Sequence, residues 1–399
     1  MALQKLTVTD LSLKQQRVLL RVDFNVPLNS DGTIRDDSRI RASLETIRYL
    51  LKGGASIVIL SHLGRPKGTD PKLTLAPCAR RLSQLLDKPV SFLPECVGAA
   101  VEASAAALKP GEILMLENVR FHAGEETPDK EPDFPARLAR LGTVYVNDAF
   151  GTAHRAHAST ALIASFFPHK AAAGLLMEKE IAHLSGLLRH PKRPFYAIIG
   201  GSKVSTKAGV IERLLSLVDG LFIGGAMVFA FMKAQGFEIG DSLYDESERA
   251  VVEKILRSNQ ASKIHWPTDI VGAQAFADDS PSQIFPYKRG IPKGWRGMDI
   301  GPATLQAWTD LLQKSATVFW NGPVGVFEFP SFAQGTRKLA EALANLKAEV
   351  VIGGGDSVAA VEEMGLARQF SHLSTGGGAS LEFLELGHLP GIDALSDKK

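Results

Sequence analysis

The sequence predicts an α/β protein of two doubly wound, parallel-sheet domains, and three features carry that prediction. Short runs rich in β-branched residues recur, they are mainly apolar rather than alternating, and most end in glycine or a polar turn before a helix-like stretch. Apolar strands alternating with helices mark a parallel sheet covered on both faces. The runs are Val18–Asp23, Ser56–Leu60, Ile113–Glu117 and Val144–Asp148, then Phe195–Gly201, Leu221–Gly225, Val318–Gly322 and Val350–Gly354. Between the two sets, Met177, Ile181, Leu184 and Leu188 recur at helical spacing as one apolar stripe, with Glu178, Lys179, Glu180 and Arg189 on the other face. Pro191 stops this helix and Pro194 precedes the next strand. Strand ends carry Asp, Asn, Arg and His before it and Gly-Gly pairs and lysine after it. The domain boundary therefore falls in this stretch, with residues 1–174 on one side, 175–193 as helix and linker, and 194–388 on the other.

Composition narrows the class. The chain has 399 residues, a net charge of +2, 45% hydrophobic and 22% charged residues. Those values exclude a disordered or collagen-like chain and give no electrostatic reason for non-specific nucleic-acid binding. Two cysteines, Cys78 and Cys96, make no disulfide framework and no Cys-x-x-Cys zinc pair. The run Gly220–Met232 is too short for a membrane span and reads as a buried strand and the start of a helix. No basic cap and apolar core of a secretory signal occur in Met1–Asp23, so a soluble, cytoplasmic protein is expected, binding neither membrane nor nucleic acid.

In an open parallel sheet, ligands bind outside the carboxyl ends of the strands. In the second half those ends are Gly200-Gly201, Gly224-Gly225 and Gly353-Gly354-Gly355, with Gly376-Gly377-Gly378 beyond. Glycine lets backbone N–H groups approach a phosphate, and a helix N-terminus adds partial positive charge. One such pair is most simply a tight turn; four in succession favour a nucleotide site. The dinucleotide Gly-x-Gly-x-x-Gly fingerprint, the Gly-x4-Gly-Lys-Ser/Thr loop and the protein-kinase signatures are missing. Lys203 and Lys207 follow Gly200-Gly201; on a helix they would share one face, either as a phosphate grip or as a solvated pair. Asp356 suits a magnesium carboxylate and a helix N-cap alike.

The first half presents Asp23, Asn25, Arg39, His62, Arg65, Arg120, His154, Arg155 and His157 at strand ends or in loops. Arginine's planar fork suits carboxylates and phosphates, so a small anionic substrate is expected if the strand ends converge. Zinc on His154 and His157 lacks a third ligand at suitable spacing.

Several of these segments together resemble the phosphoglycerate kinase family over nearly the whole chain. They are Arg21–Pro27, Asp37–Arg41, Ser61–Pro66, Leu116–Phe121, Asn147–His157, Gly200–Lys207, Asp299–Pro302, Trp320–Glu328, Gly353–Ser357 and Ser374–Ala379. The resemblance implies two domains facing a cleft, joined by a helix, with residues 389–399 returning to the N-terminal domain. It implies that 3-phosphoglycerate is held by Asp23, Asn25, Arg39, His62, Leu63, Gly64, Arg65, Arg120 and Arg155. The nucleotide, as MgADP or MgATP, would be held by Gly201, Lys203, Lys207, Gly225, Asn321, Glu328, Gly354, Gly355, Asp356, Ser357 and Gly377. Glu328 would accept the ribose hydroxyls and Asp356 would meet Mg²⁺. Arg39, Lys203, Lys207, Gly354 and Gly377 form the expected catalytic set, in a monomer that closes during turnover. Glu385-Leu386-Gly387-His388 departs from the family's usual Leu-Glu-Gly-Lys at that point. Two other classes share parts of this pattern: a nicotinamide-dependent dehydrogenase, which needs the missing fingerprint, and a non-catalytic anion-binding protein, which has no use for the second, phosphate-type half.

Overall fold

The computed structural model describes residues 4–398. The chain divides into two compact units, Met1–Ala182 with His388–Lys399, and His183–Gly387.

The first unit is built on β1 (Arg17–Arg21), β2 (Ser56–Leu60), β3 (Ser91–Phe92), β4 (Ile113–Met115), β5 (Val144–Asn147) and β6 (Ala171–Ala173). These form one six-stranded sheet in the order β3-β4-β2-β1-β5-β6, parallel at every pairing. Strand β1 lies inside, and Val18, Leu19 and Leu20 are fully buried. Alternation sends Val18 and Leu20 into one core with Ile57, Ile59 and Val146. Polarity returns only at the carboxyl ends, where Arg21 pairs in register with Leu60 on one side and Asn147 on the other.

The last residues, from His388 on, belong to this unit. Asp397 bridges to Lys5, and the Lys5 Nζ donates to the carbonyls of Asp393 at 2.8 Å and Leu395 at 2.9 Å. Asn147, fully buried, donates through Nδ2 to Gly391 O at 3.3 Å and to Thr160 O at 3.1 Å.

In the second unit β7 (Phe195–Ile199), β8 (Gly220–Ile223) and β9 (Ile264–His265) are followed by β10 (Asp269–Ala273), β11 (Ser282–Pro286) and β12 (Arg296–Ile300). Then come β13 (Thr317–Asn321), β14 (Glu349–Gly353) and β15 (His372–Leu373). Six of these make a second parallel sheet, ordered β15-β14-β13-β7-β8-β9. The other three form an antiparallel sheet, β11-β10-β12, which the sequence did not announce. Its strands are interrupted by glycine, proline and charge, and a register shift falls between Val271 and Gly272. Gly220–Met232 does form a strand and a helix start, β8 followed by the helix Met227–Ala234.

The helix Leu175–Arg189 buries Met177, Ile181 and Leu184 as its pattern requires, but two positions differ. Glu180 is buried rather than solvated, and Leu187 is buried while Leu188 is half-buried. At 100° per residue, Glu180 and Leu187 fall beside Met177 and Leu184, so the packed face is wider than the four-residue stripe. Among the described residues no helix is long and apolar enough to cross a membrane.

Asn147→Ala should lower stability by about 1–3 kcal/mol in urea titration, because it removes a buried donor to Gly391 O and Thr160 O and the acceptor of Ala149 N. An unchanged midpoint would mean that the tail does not depend on this contact.

Candidate active site

In the first unit, the polar side chains gather where β1 and β2 end. Asp23, just past β1, accepts from Arg39 Nη1 on the short helix Ser38–Ala42, and its other oxygen lies 3.9 Å from His62 Nδ1. Burial raises the Asp23 carboxyl, but the charges around it more than offset this and hold it below the usual range. Burial also drives His62 well below its ordinary value, against the pull of the Asp23 carboxylate. Gly64 joins two of the loops: its N–H donates to Asn25 Oδ1 at 2.8 Å, and its carbonyl accepts from Arg120 Nη1 at 2.7 Å. Arg120 also meets Glu126 at 3.0 Å, while its Nε is buried without a partner.

Below this layer lies a buried charged network. Arg21 donates through Nε to Ser159 Oγ at 2.7 Å and meets His62 Nδ1 at 3.3 Å. Ser159 Oγ donates to Glu125 Oε1 at 2.7 Å, which lies 3.9 Å from both Arg21 Nη2 and His157 Nδ1. His157 is pushed down to about 3 by burial and by Arg120 and Arg155. The strand ends thus converge on Asp23, Asn25, Arg39, His62, Leu63, Gly64 and Arg120. Arg155 lies within electrostatic reach of Arg120 and both loop histidines, and Arg65 is exposed.

In the second unit, β7, β13 and β14 end side by side, with Asn321 in register with Ile199 and Gly353. Lys207 Nζ turns onto this edge, donating to Gly200 O at 2.6 Å and Asn321 Oδ1 at 2.8 Å. Burial lowers this ammonium to about 8, against the pull of Asp356. Ser357 Oγ accepts from Gly322 N at 2.6 Å. Asn321 Nδ2 is buried with no partner, a donor left open beside Gly354. At Gly354, with φ of +92°, a Cβ would stand 2.8 Å from that nitrogen; at Gly225, with φ of +68°, it would stand 2.5 Å from Gly201 N. Both positions need glycine. Beside this edge opens a cavity of ≈ 520 Å³ whose walls include Gly201, Gly225, Val228, Phe229, Phe276, Met298, Glu328 and Asp356. The cavity is largely apolar, with glycine loops and the carboxylates of Glu328 and Asp356 at its walls.

The phosphoglycerate kinase family model matches residues 8–387. The chain belongs to the phosphoglycerate kinase family. It is 51% identical over 403 residues to a phosphoglycerate kinase of Thermosynechococcus vestitus, covering 99% of this chain and 100% of that one. It is 50% identical over 396 residues to a cytosolic phosphoglycerate kinase of Triticum aestivum, covering 98% of each. The solved phosphoglycerate kinase of Coxiella burnetii is similar with a TM-score of 0.86 and 38% identity, over 98% of each chain.

Two local expectations need correction for this family member. Lys203 and Lys207 do not share a helical face, because the helix Ala208–Leu217 begins after both. Lys207 stands at its N-cap and turns inward, while Lys203 is exposed within the electrostatic reach of Asp245. Asp356 is not an N-cap; Gly354 takes that place, and Asp356 is the second residue of the helix Gly355–Glu363, in its positive first turn. Gly377 caps the separate helix Gly378–Leu386. Sequence reading missed Arg21, Glu125, Ser159 and Asn118, whose Nδ2 holds Leu63 O at 2.7 Å. An arginine inside an otherwise apolar strand was the one available signal, since a buried guanidinium requires acceptors.

Binding of pyrophosphate or ADP should weaken as pH rises through about 8, roughly tenfold per unit at first, because Lys207 is cationic below that value and neutral above it. Lys207→Met should remove the step; a wild-type affinity flat from pH 7 to about 9.5 would show that Lys207 does not meet the phosphates.

Proposed function

We propose that this chain catalyses reversible phosphoryl transfer between 1,3-bisphosphoglycerate and ADP, giving 3-phosphoglycerate and ATP. The full-length match to phosphoglycerate kinases at about half identity carries this reading. The two strand-end sites supply its chemistry.

The arginine-lined edge of the first unit suits a small dianion bearing a carboxylate. In this reading Arg39, Arg65, Arg120 and Arg155 bind phosphoglycerate, Asp23 and His62 set the position of Arg39, and Asn25, Leu63 and Gly64 shape the floor. In the second unit Val228, Phe229 and Met298 take the base and Glu328 the ribose hydroxyls. Gly201, Gly225, Lys207, Asn321, Gly354, Gly355, Ser357 and Gly377 serve the phosphates. Lys203, exposed beside this edge, is free to reach a phosphoryl group in flight. Asp356 is the carboxylate that would hold the nucleotide's Mg²⁺, which neutralises phosphate charge.

No general base is needed. The attacking carboxylate, with an ordinary pKa of about 4, is already ionised at neutral pH. Catalysis then rests on positioning and on positive charge at the transferring group, supplied by Arg39, Lys203 and Lys207. Ligands held on separate units react directly only if the units approach during turnover, which also shields an acyl phosphate from water. A monomeric, cytoplasmic setting belongs to this reading, supported by the relative from wheat whose name places it in the cytosol.

The test is transfer from MgATP to 3-phosphoglycerate, coupled to reduction of the acyl phosphate, with EDTA as control. Metal-dependent turnover is expected, and Arg39→Ala should cut kcat by ~10²-fold or more while the protein stays folded. No turnover by a folded protein that binds MgADP would overturn the assignment; full turnover by the variant would remove Arg39 from the catalytic set.

A further inference from the structure

One cluster of ligating side chains shares no residue with either site above. We propose that Glu95, Cys96 and His122 form a binding site for a thiophilic divalent metal ion of the Zn²⁺ class.

The site is assembled from two loops of the first unit. Glu95 and Cys96 lie between β3 and the helix Ala99–Ala106, and His122 follows the turn Val119–Phe121. One ligand atom from each residue lies within 4.8 Å of the others. His122 Nε2 is 2.8 Å from Glu95 Oε1, and its Nδ1 is 3.2 Å from Glu131 Oε1. Glu131 is itself held by Arg137 Nη1 at 2.9 Å, and Phe134 stacks on the imidazole with ring centroids 4.8 Å apart and 16° between planes. The ring is therefore fixed from two sides before any ion arrives.

This arrangement has the logic of a metal-bound histidine. A neutral imidazole has one N–H, so it cannot donate to two carboxylates at once. With the proton on Nδ1, facing Glu131, the Nε2 lone pair points at Glu95, and a metal ion between them would take the place of a bridging proton. A carboxylate on the far nitrogen is the usual means of orienting a ligating histidine. The Cys96 thiol, hydrogen-bonded to Glu95, completes the set of three. Burial and the carboxylates around Cys96 push that thiol well above its ordinary value, so coordination must release its proton to solvent. Thiolate, imidazole and carboxylate together suit Zn²⁺ far better than Mg²⁺ or Ca²⁺, which seek oxygen alone. Three protein ligands leave a fourth position for water.

The test uses the full chain, stripped by a chelator and kept reduced, titrated with Co²⁺ in excess Mg²⁺ so that oxygen-only sites are filled. Cobalt bound to a thiolate gives a charge-transfer absorption that carboxylate sites do not. One equivalent should develop that band, Zn²⁺ should displace it, and Cys78→Ser should keep it. Cys96→Ser should abolish it. Glu131→Gln, which leaves all three ligands in place, should weaken binding about 10–100-fold, and Glu95→Gln should weaken it too; these two half-exposed or exposed positions keep the test valid if Cys96→Ser does not fold. Absence of the band, its survival in Cys96→Ser, or unchanged affinity in both glutamate variants would overturn the proposal.

Discussion

Parallel pairing is the constraint on which the rest depends. Because every strand of each six-stranded sheet runs the same way, all carboxyl ends reach one edge, and the residues just beyond them become neighbours whatever their separation in sequence. Arg21 and Asn147 are 126 positions apart yet stand in register, as do Asn321 and Ile199. The apolar bodies of β1 and β13 are buried on both faces, so a slip of register would drive Arg21 or Asn321 into hydrocarbon. Hydrophobic burial along the strands thus fixes where the chemistry stands.

The two edges handle charge in opposite ways. At the first, guanidiniums are kept in place by buried acceptors: Arg39 by Asp23, and Arg21 by Ser159 and Glu125. A buried charge without its partner costs several kcal/mol, so the fully buried Arg21 depends on Glu125 for its place. At the second edge, one lysine is bonded to neutral oxygens only, Gly200 O and Asn321 Oδ1, and burial lowers its proton affinity. An ammonium left short of negative charge is ready for a phosphate, and Asn321 Nδ2 waits beside it without an acceptor.

The sequence disclosed the eight main strands within a residue or two because their apolar runs are bounded by turn residues, and it disclosed most strand-end residues because they break those runs. It did not disclose β10–β12, since Gly272, Pro286 and Gly297 interrupt any alternation there. Nor did it show that Lys207 turns inward and Lys203 outward: a four-residue spacing implies a shared face only on a helix, and this helix starts at Ala208, after both lysines. The network beneath Asp23 was equally hidden, because nothing in adjacent glutamates marks that the fold buries Glu125 and leaves Glu126 at the surface.

In the proposed reaction each unit holds its own reactant. Calorimetric titration of the intact protein with 3-phosphoglycerate and, separately, MgADP tests it most directly, using Arg155→Ala and Lys207→Met. Lys207→Met should lose about tenfold or more in MgADP affinity, as removal of a charged hydrogen bond requires, and bind 3-phosphoglycerate as wild type does. Arg155→Ala should show the reverse. Loss of both ligands in either folded variant, or loss of the other unit's ligand alone, would show that the two reactants are not divided between the units in this way.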